Sequence, residues 1–442
     1  MAPKKSKSLL DLIGKKKKSK KSESGERREL KLFEAMSNGE AYGDKELQRS
    51  AKDHLWMHFT RHSPYQTKDM TIITRGEGHY LWDSKGNKVI DGLSGLFAVN
   101  AGHGHQELAD AAAKQMMELD YMPLWAYAHP RAIELAERLL SYAPKDLNRI
   151  FFTTGGGEAV ETAWKIAKQY YKLKGKPTKT KVISRMTAYH GTSHGALSIT
   201  GIAAMKAMFE PLVPSTIRVP NTNWYRSKHL FKTEEEFGIW AANRIEEAIL
   251  MEGPDTVAAF YVEPIQNSGG CFTAHPSYFK RVREICDKYD VIFVADETIT
   301  GFGRSGEMFA SQRYGIEPDM MITAKAITSG TQPLGALFLK EKYFEPFTEG
   351  TTIFPPSIYE IFDSRSEISC YKIEVAKDYL GHDTITILLE NRIEHHPVMN
   401  QLVEDCKAKL RVVPHFVFLE TDYLRSQVFK NHMRKPEKII FK

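Results

Sequence analysis

Chemistry-bearing residues in this chain cluster directly after short apolar runs. Ile150-Phe151-Phe152 leads into Thr153-Thr154-Gly155-Gly156-Gly157 and then a helical pattern. Glycines opening a helix leave backbone N–H groups free to face an anion, and the helix dipole favours negative charge there. An ordinary strand-to-helix turn reads the same way. Lys181 to Ser184 leads into Tyr189-His190-Gly191, an aromatic pair suited to stacking on a flat ring or to plain packing. Val257 to Val262 ends at Glu263-Pro264, and Val291 to Ala295 ends at Asp296-Glu297. An acid at the tip of an all-apolar strand needs a partner. A protonated ring nitrogen is one such partner, and a helix cap is the equal alternative for Asp296. Met320 to Thr323 leads into Ala324-Lys325-Ala326. A lysine among small residues at a strand end is desolvated, which lowers its pKa and favours Schiff-base chemistry; a snorkelling lysine is the commoner case. Together these form an anion cradle, a stacking face, a ring-nitrogen partner and an amine nucleophile.

The elements that position them read as an α/β domain. Runs that are apolar without alternation suit a parallel sheet buried on both faces. Glu158 to Leu173 is a helix with Ala159, Ala163, Ile166, Ala167 and Tyr170 on one face, and Ser277 to Tyr289 is another. In an open α/β sheet, ligands bind beyond the carboxyl ends of the strands, where all these residues fall. Upstream, Thr71 to Thr74, Tyr80 to Trp82 and Val89-Ile90, with the turn Asp83 to Asn87, read as hairpin strands.

With these motifs on view, residues 50–349 resemble the class III PLP-dependent aminotransferases of fold type I, most of all the ω-amino acid:pyruvate branch. The resemblance rests on Leu55-Trp56-Met57-His58-Phe59-Thr60, Asp91-Gly92-Leu93-Ser94-Gly95-Leu96-Phe97, Ala188-Tyr189-His190-Gly191, Glu263-Pro264-Ile265-Gln266, Asp296-Glu297-Thr298-Ile299-Thr300-Gly301-Phe302-Gly303-Arg304 and Ala324-Lys325-Ala326. It implies pyridoxal 5'-phosphate as cofactor, with Lys325 as the Schiff-base and proton-shuttling lysine and Asp296 at the pyridine nitrogen. It implies cofactor contacts from Gly156, Gly157, Tyr189, Glu263 and Thr298, and a substrate pocket with Trp56, Phe97 and Tyr189. It further implies transfer of an amino group from an ω-amino acid or amine to a keto acid such as pyruvate, in a homodimer. The family usually places Ser or Thr in the phosphate loop, where this chain has glycine.

The resemblance stops near Gly350. In the family a Thr-Phe-x-Gly-His-Pro-like stretch follows, whose Thr reaches the neighbouring subunit's phosphate. Here the chain reads Thr351-Thr352-Ile353-Phe354-Pro355-Pro356. The family's small C-terminal domain, with its carboxylate-binding Arg, is replaced. Ile353 to Ile358, His396 to Met399, Leu410 to Pro414 and Arg434 to Lys438 instead resemble the small C-terminal domain of phenylacetate–CoA-ligase-like adenylate-forming enzymes. The expected organisation is a basic tail and linker over 1–48, with order beginning near Asp53. A hairpin segment at 49–104, a PLP-binding large domain at 105–349 and a small α+β domain at 350–442 follow. The alternative function is a chimera that binds PLP without efficient turnover.

Composition narrows the rest. Residues 1–28 hold eleven Lys/Arg against three Asp/Glu, a surplus of eight where the whole chain has +6, so the body is near neutral. No nucleic-acid partner is expected of that body; the tail alone has the charge for one. No apolar run reaches the ~18 residues of a membrane span. Cys271, Cys286, Cys370 and Cys406 form no close pair, consistent with free thiols in the cytoplasm. His103-Gly104-His105 reads as a turn, and no metal site is expected. Gly301-Phe302-Gly303-Arg304-Ser305-Gly306 satisfies G-x-G-x-x-G, which makes a nicotinamide oxidoreductase the third reading; that motif has meaning only between a strand and a helix.

Overall fold

The structure is a computed structural model that describes residues 43–349, 355–377, 383–407, 413–429 and 438–441. The Lys-rich tail, Thr351 to Phe354, Leu410 to Val412 and Arg434 to Glu437 lie outside the described residues.

Strands run in the order β1 (Ile73–Glu77), β2 (Tyr80–Asp83), β3 (Lys88–Ile90), β4 (Leu147–Thr153), β5 (Lys181–Arg185), β6 (Thr216–Val219), β7 (Val257–Val262), β8 (Ile292–Asp296), β9 (Met320–Thr323), β10 (Gly335–Lys340), β11 (Tyr371–Lys377), β12 (Asp383–Glu390), β13 (His415–Leu419) and β14 (Ile439–Phe441). Two compact units divide the described residues: those up to Gly92 with His103–His105, and Leu93–Gly102 with those from Gln106 onward.

The first unit holds the antiparallel meander β1-β2-β3. Its turn is closed by Asp83, whose Oδ1 accepts from the N–H groups of Lys85 at 2.9 Å and Asn87 at 2.8 Å, the self-capping expected of an Asx turn. Among the described residues, order begins at the helix Asp44–His54 rather than near Asp53. Local propensity misses it because its anchors are remote. Gln48 exchanges two hydrogen bonds with the Met70 backbone at 2.7 and 2.9 Å, and Ser84 Oγ donates to Asp44 at 2.6 Å.

The second unit carries the seven-stranded sheet, order β4-β10-β9-β8-β7-β5-β6. Strand β10 is antiparallel to both β4 and β9, while β9-β8-β7-β5-β6 pair in parallel. Six strands therefore point one way, the mostly parallel sheet expected. Every residue of β7 is fully buried because both faces are covered. Ala258, Ala259 and Tyr261 pack with Ala159, Ala163 and Ala167 of the helix Gly156–Leu173. Phe260 and Val262 pack with Phe237, Ile245, Tyr278 and Val282 of the helices Glu234–Glu252 and Pro276–Lys288. A third sheet, order β13-β12-β11-β14, has a core of its own around Ile373, Ile387, Leu389 and Leu402.

Gly201 marks how tightly the segment beyond β5 is packed. A Cβ built there would lie 2.2 Å from Arg185 O, 2.9 Å from Thr187 N and 3.0 Å from Ala188 N. Backbone cannot swing aside as a side chain can, so Gly201→Ala is expected to lower stability by about 1–3 kcal/mol. A shift of the urea midpoint at unchanged m-value checks this.

Candidate active site

The carboxyl ends of the strands meet at a cavity of about 450 Å³. Six separate stretches build its wall. After β4, Gly155 is extended and caps the 18-residue helix Gly156–Leu173. The space there admits no side chain without displacement. A Cβ on Gly156 would sit 3.3 Å from Thr298 Cγ2 and 3.4 Å from Ala324 Cβ, and one on Gly157 would sit 3.1 Å from Ser193 Oγ. The result is a bare backbone cradle at a helix N-terminus, open to an anion.

Asp296 ends β8 and is 5 % exposed. Its Oδ1 accepts from Thr298 N at 3.1 Å and its Oδ2 from His190 Nδ1 at 2.8 Å. A carboxylate only accepts, so Nδ1 carries the proton of that bond. Burial would raise the Asp296 carboxyl, but the His190 hydrogen bond and charge, with Thr298, hold it below the ordinary range. Asp296 is therefore a buried anion. It caps no helix; the neighbouring Glu297 does that, accepting from Ala310 N at 3.1 Å and Ser311 N at 2.5 Å where the helix Ala310–Tyr314 begins.

Lys325 follows β9 with φ +51, a left-handed backbone that costs an L-residue about 1–2 kcal/mol. Such strain persists where the surroundings over-determine it, often at functional sites. The side chain lines the cavity rather than snorkelling to open solvent. Among the described residues no group hydrogen-bonds its ammonium. Burial pushes the Lys325 amine down, and Asp296 and Glu263 pull part of that back.

Gly156, Gly157, Tyr189, Glu263, Asp296, Thr298 and Lys325, all named from sequence, line this one cavity. Phe97 does not: it is half-buried in the turn Ser94–Phe97, where four consecutive residues have positive φ. Trp56 belongs to the first unit and is 84 % exposed there. The sequence offers His190 only as a stacking candidate, and its bond to Asp296 is made by the fold. The clue was that a buried acid must have a partner, but nothing in the sequence points across 106 positions to which one. The segment Gly301–Gly306 is a tight loop closed by Phe302 N donating to Met308 O at 2.6 Å, and the next helix starts at Ala310. It does not join a strand to a helix, so the nicotinamide reading fails its own condition.

A phosphate cradle, a buried anion and an unpartnered amine on one cavity are what a PLP-dependent transferase requires, and the comparisons agree. Residues 63–354 match the model for class-III aminotransferases, and the chain belongs to that family. It is 58 % identical over 308 residues to a probable aminotransferase of Mycobacterium tuberculosis, covering 70 % of this chain and 66 % of that protein. It is 37 % identical over 335 residues to the putrescine–pyruvate aminotransferase of Pseudomonas aeruginosa, covering 76 % and 73 %. The omega transaminase of Pseudomonas jessenii, solved in complex with PMP, superposes with a TM-score of 0.67 at 35 % identity over 69 % of this chain and 67 % of that one. The chain thus spans about two thirds of the length of the first of these relatives. No helix among the described residues is long and apolar enough to cross a membrane.

Proposed function

We propose that this chain is a PLP-dependent aminotransferase that moves an amino group from an ω-amino acid or amine to a keto acid such as pyruvate. The observation that carries the reading is Lys325: a strained, desolvated, unpaired amine on the same cavity as the buried Asp296 anion. The residues fit the cofactor, which when bound supplies an electron sink for the amine carbon. Gly156 and Gly157 would hold its phosphate on backbone N–H groups. Asp296 would keep its ring nitrogen protonated, with His190 fixing the carboxylate. Tyr189 and Thr298 would bound the ring. Lys325 would anchor the cofactor's aldehyde carbon and, once displaced by the donor amine, carry the proton between donor carbon and cofactor. Trp56 and Phe97 remain the proposed substrate contacts.

A homodimer is the proposed assembly. Support comes from an exposed apolar stretch at the end of the helix Gln106–Glu118 and just beyond it, with Met117 89 %, Tyr121 76 % and Trp125 71 % exposed. Residues 350–442 are proposed as the small α+β module resembling the ligase C-terminal domain, supported by the separate sheet β11–β14 with helices Val398–Asp405 and Thr421–Val428. The cytoplasm is the proposed compartment, consistent with four free thiols.

The test is a visible spectrum of the purified full chain with added PLP, before and after borohydride, followed by putrescine or β-alanine with pyruvate. The expected result is a band that borohydride fixes covalently and alanine formed from pyruvate. A band without alanine moves the assignment to the PLP-binding chimera without turnover. No band sinks the reading.

A further inference from the structure

The cavity holds a second buried acid whose surroundings differ from those of Asp296. Glu263 follows β7 and is 4 % exposed. Its Oε1 accepts a single hydrogen bond, from Tyr189 N at 3.0 Å. The Arg185 guanidinium makes no hydrogen bond to the carboxyl and acts on it only through its charge: it donates to the Glu263 backbone carbonyl at 2.5 Å and to Thr222 Oγ1 at 3.2 Å. His190 commits its Nδ1–H to Asp296. Among the described residues, Lys325 makes no hydrogen bond to Glu263, and the Asp296 anion repels a second negative charge. A buried carboxyl with one N–H partner and an anion for a neighbour is disfavoured in its charged form.

We propose that Glu263 stands in the cavity as a neutral carboxylic acid and donates its proton to an oxygen acceptor of the bound ligand, leaving Asp296 as the single anion of the pair. Consistent with this, burial raises the Glu263 carboxyl and Asp296 adds to the rise, while His190, Arg185 and the Tyr189 N–H oppose it; the net displacement is upward, opposite to that of Asp296. Two acids pushed apart by their environments take opposite roles, one donor and one anion. The donor role rests on the aminotransferase reading; the protonation state does not.

The first arm of the test is the infrared spectrum of the full chain at neutral pH, parent minus Glu263→Gln, with thermal unfolding recorded to confirm that both fold. The expected difference is a carboxylic-acid carbonyl band present only in the parent. The subtraction removes the other buried carboxyls, Asp296, Glu297, Asp319 and Glu390 among them. A difference containing only carboxylate bands overturns the proposal. The second arm is PLP titration by absorbance. Glu263→Ala should weaken PLP binding about tenfold, the worth of one hydrogen bond, and Glu263→Gln, which keeps a donor, distinctly less. Equal losses in the two variants overturn the donor role. A parent with no PLP band overturns the aminotransferase reading instead, and the infrared arm then decides the state of Glu263 by itself.

Discussion

Replacing Lys325 by alanine is expected to abolish the borohydride-fixed band and to lower amine transfer by at least about 10²–10⁴-fold, the range lost with a positioned acid–base group. Lys325 enters the proposed mechanism as both covalent anchor and proton carrier, so no neighbour can cover its loss. His190 is tied to Asp296, Glu263 is an acid, and Tyr189 is held above its ordinary range by burial and by Asp296. Lys325→Arg should be as inactive as Lys325→Ala, because a guanidinium does not give up its proton. The wild-type amine also predicts a pH dependence. Burial lowers it, so its neutral, nucleophilic form is populated at a lower pH than for an exposed lysine. The rate of PLP capture should therefore rise with pH and level off below the ordinary lysine range of roughly 10.4. Stopped-flow capture rates across pH would show this; a rise continuing through the ordinary range would remove the argument from desolvation.

Asp296→Asn is expected to cost about 10²–10³-fold in turnover, the scale seen when one preorganised electrostatic contact is removed. The near-isosteric amide cannot hold the ring nitrogen in its protonated form. It also cannot reproduce the present bonds, because both carboxylate oxygens accept, one from Thr298 N and one from His190 Nδ1. Whichever way the amide is turned, its NH₂ meets a donor, unless His190 changes tautomer. Stability should fall as well, by about 1–3 kcal/mol. The pH signature separates the two effects. The folded-state pKa of Asp296 is depressed, so its contribution is present above the unfolded value of roughly 3.9 and is lost as pH falls through the folded value. Denaturant titrations of wild type and variant should converge in acid and diverge towards neutrality. Parallel curves would mean that Asp296 is not ionised.

Much of the sheet was legible because β7, β8 and β9 are buried on both faces and read as unbroken apolar runs. Their tips then placed Glu263, Asp296 and Lys325 by position alone. Other parts were not. β10 carries the same apolar texture but runs against its neighbours, and direction has no local signature. β6 and the helix Glu234–Glu252 gave weak cues; that helix is bounded by a Thr233 cap and three glutamates, yet apolar residues lie on several sides. At the site, side chains attached to strand tips could be named, whereas partnerships closed by the fold could not. His190 with Asp296 is one case, and Glu297 reaching forward to Ala310 and Ser311 is another. Phe97 is a third case: its motif carries no sign of the run of left-handed backbone, Ser94 to Phe97, on which it sits.

The two families of buried clusters have a consequence for how the chain melts. The clusters around β4–β10 draw on residues between Leu139 and Tyr343, those around β11–β14 on residues between Ile358 and Val428, and among the described residues none belongs to both. Cooperativity extends only as far as shared packing, so within the second unit calorimetry should resolve separate endotherms for the two sheets. A protease cut between the helices Pro346–Glu349 and Pro355–Asp363 should leave two fragments that each melt as before. A seam of this kind is also where recombination does least harm, because exchanging the segment beyond it repacks no core.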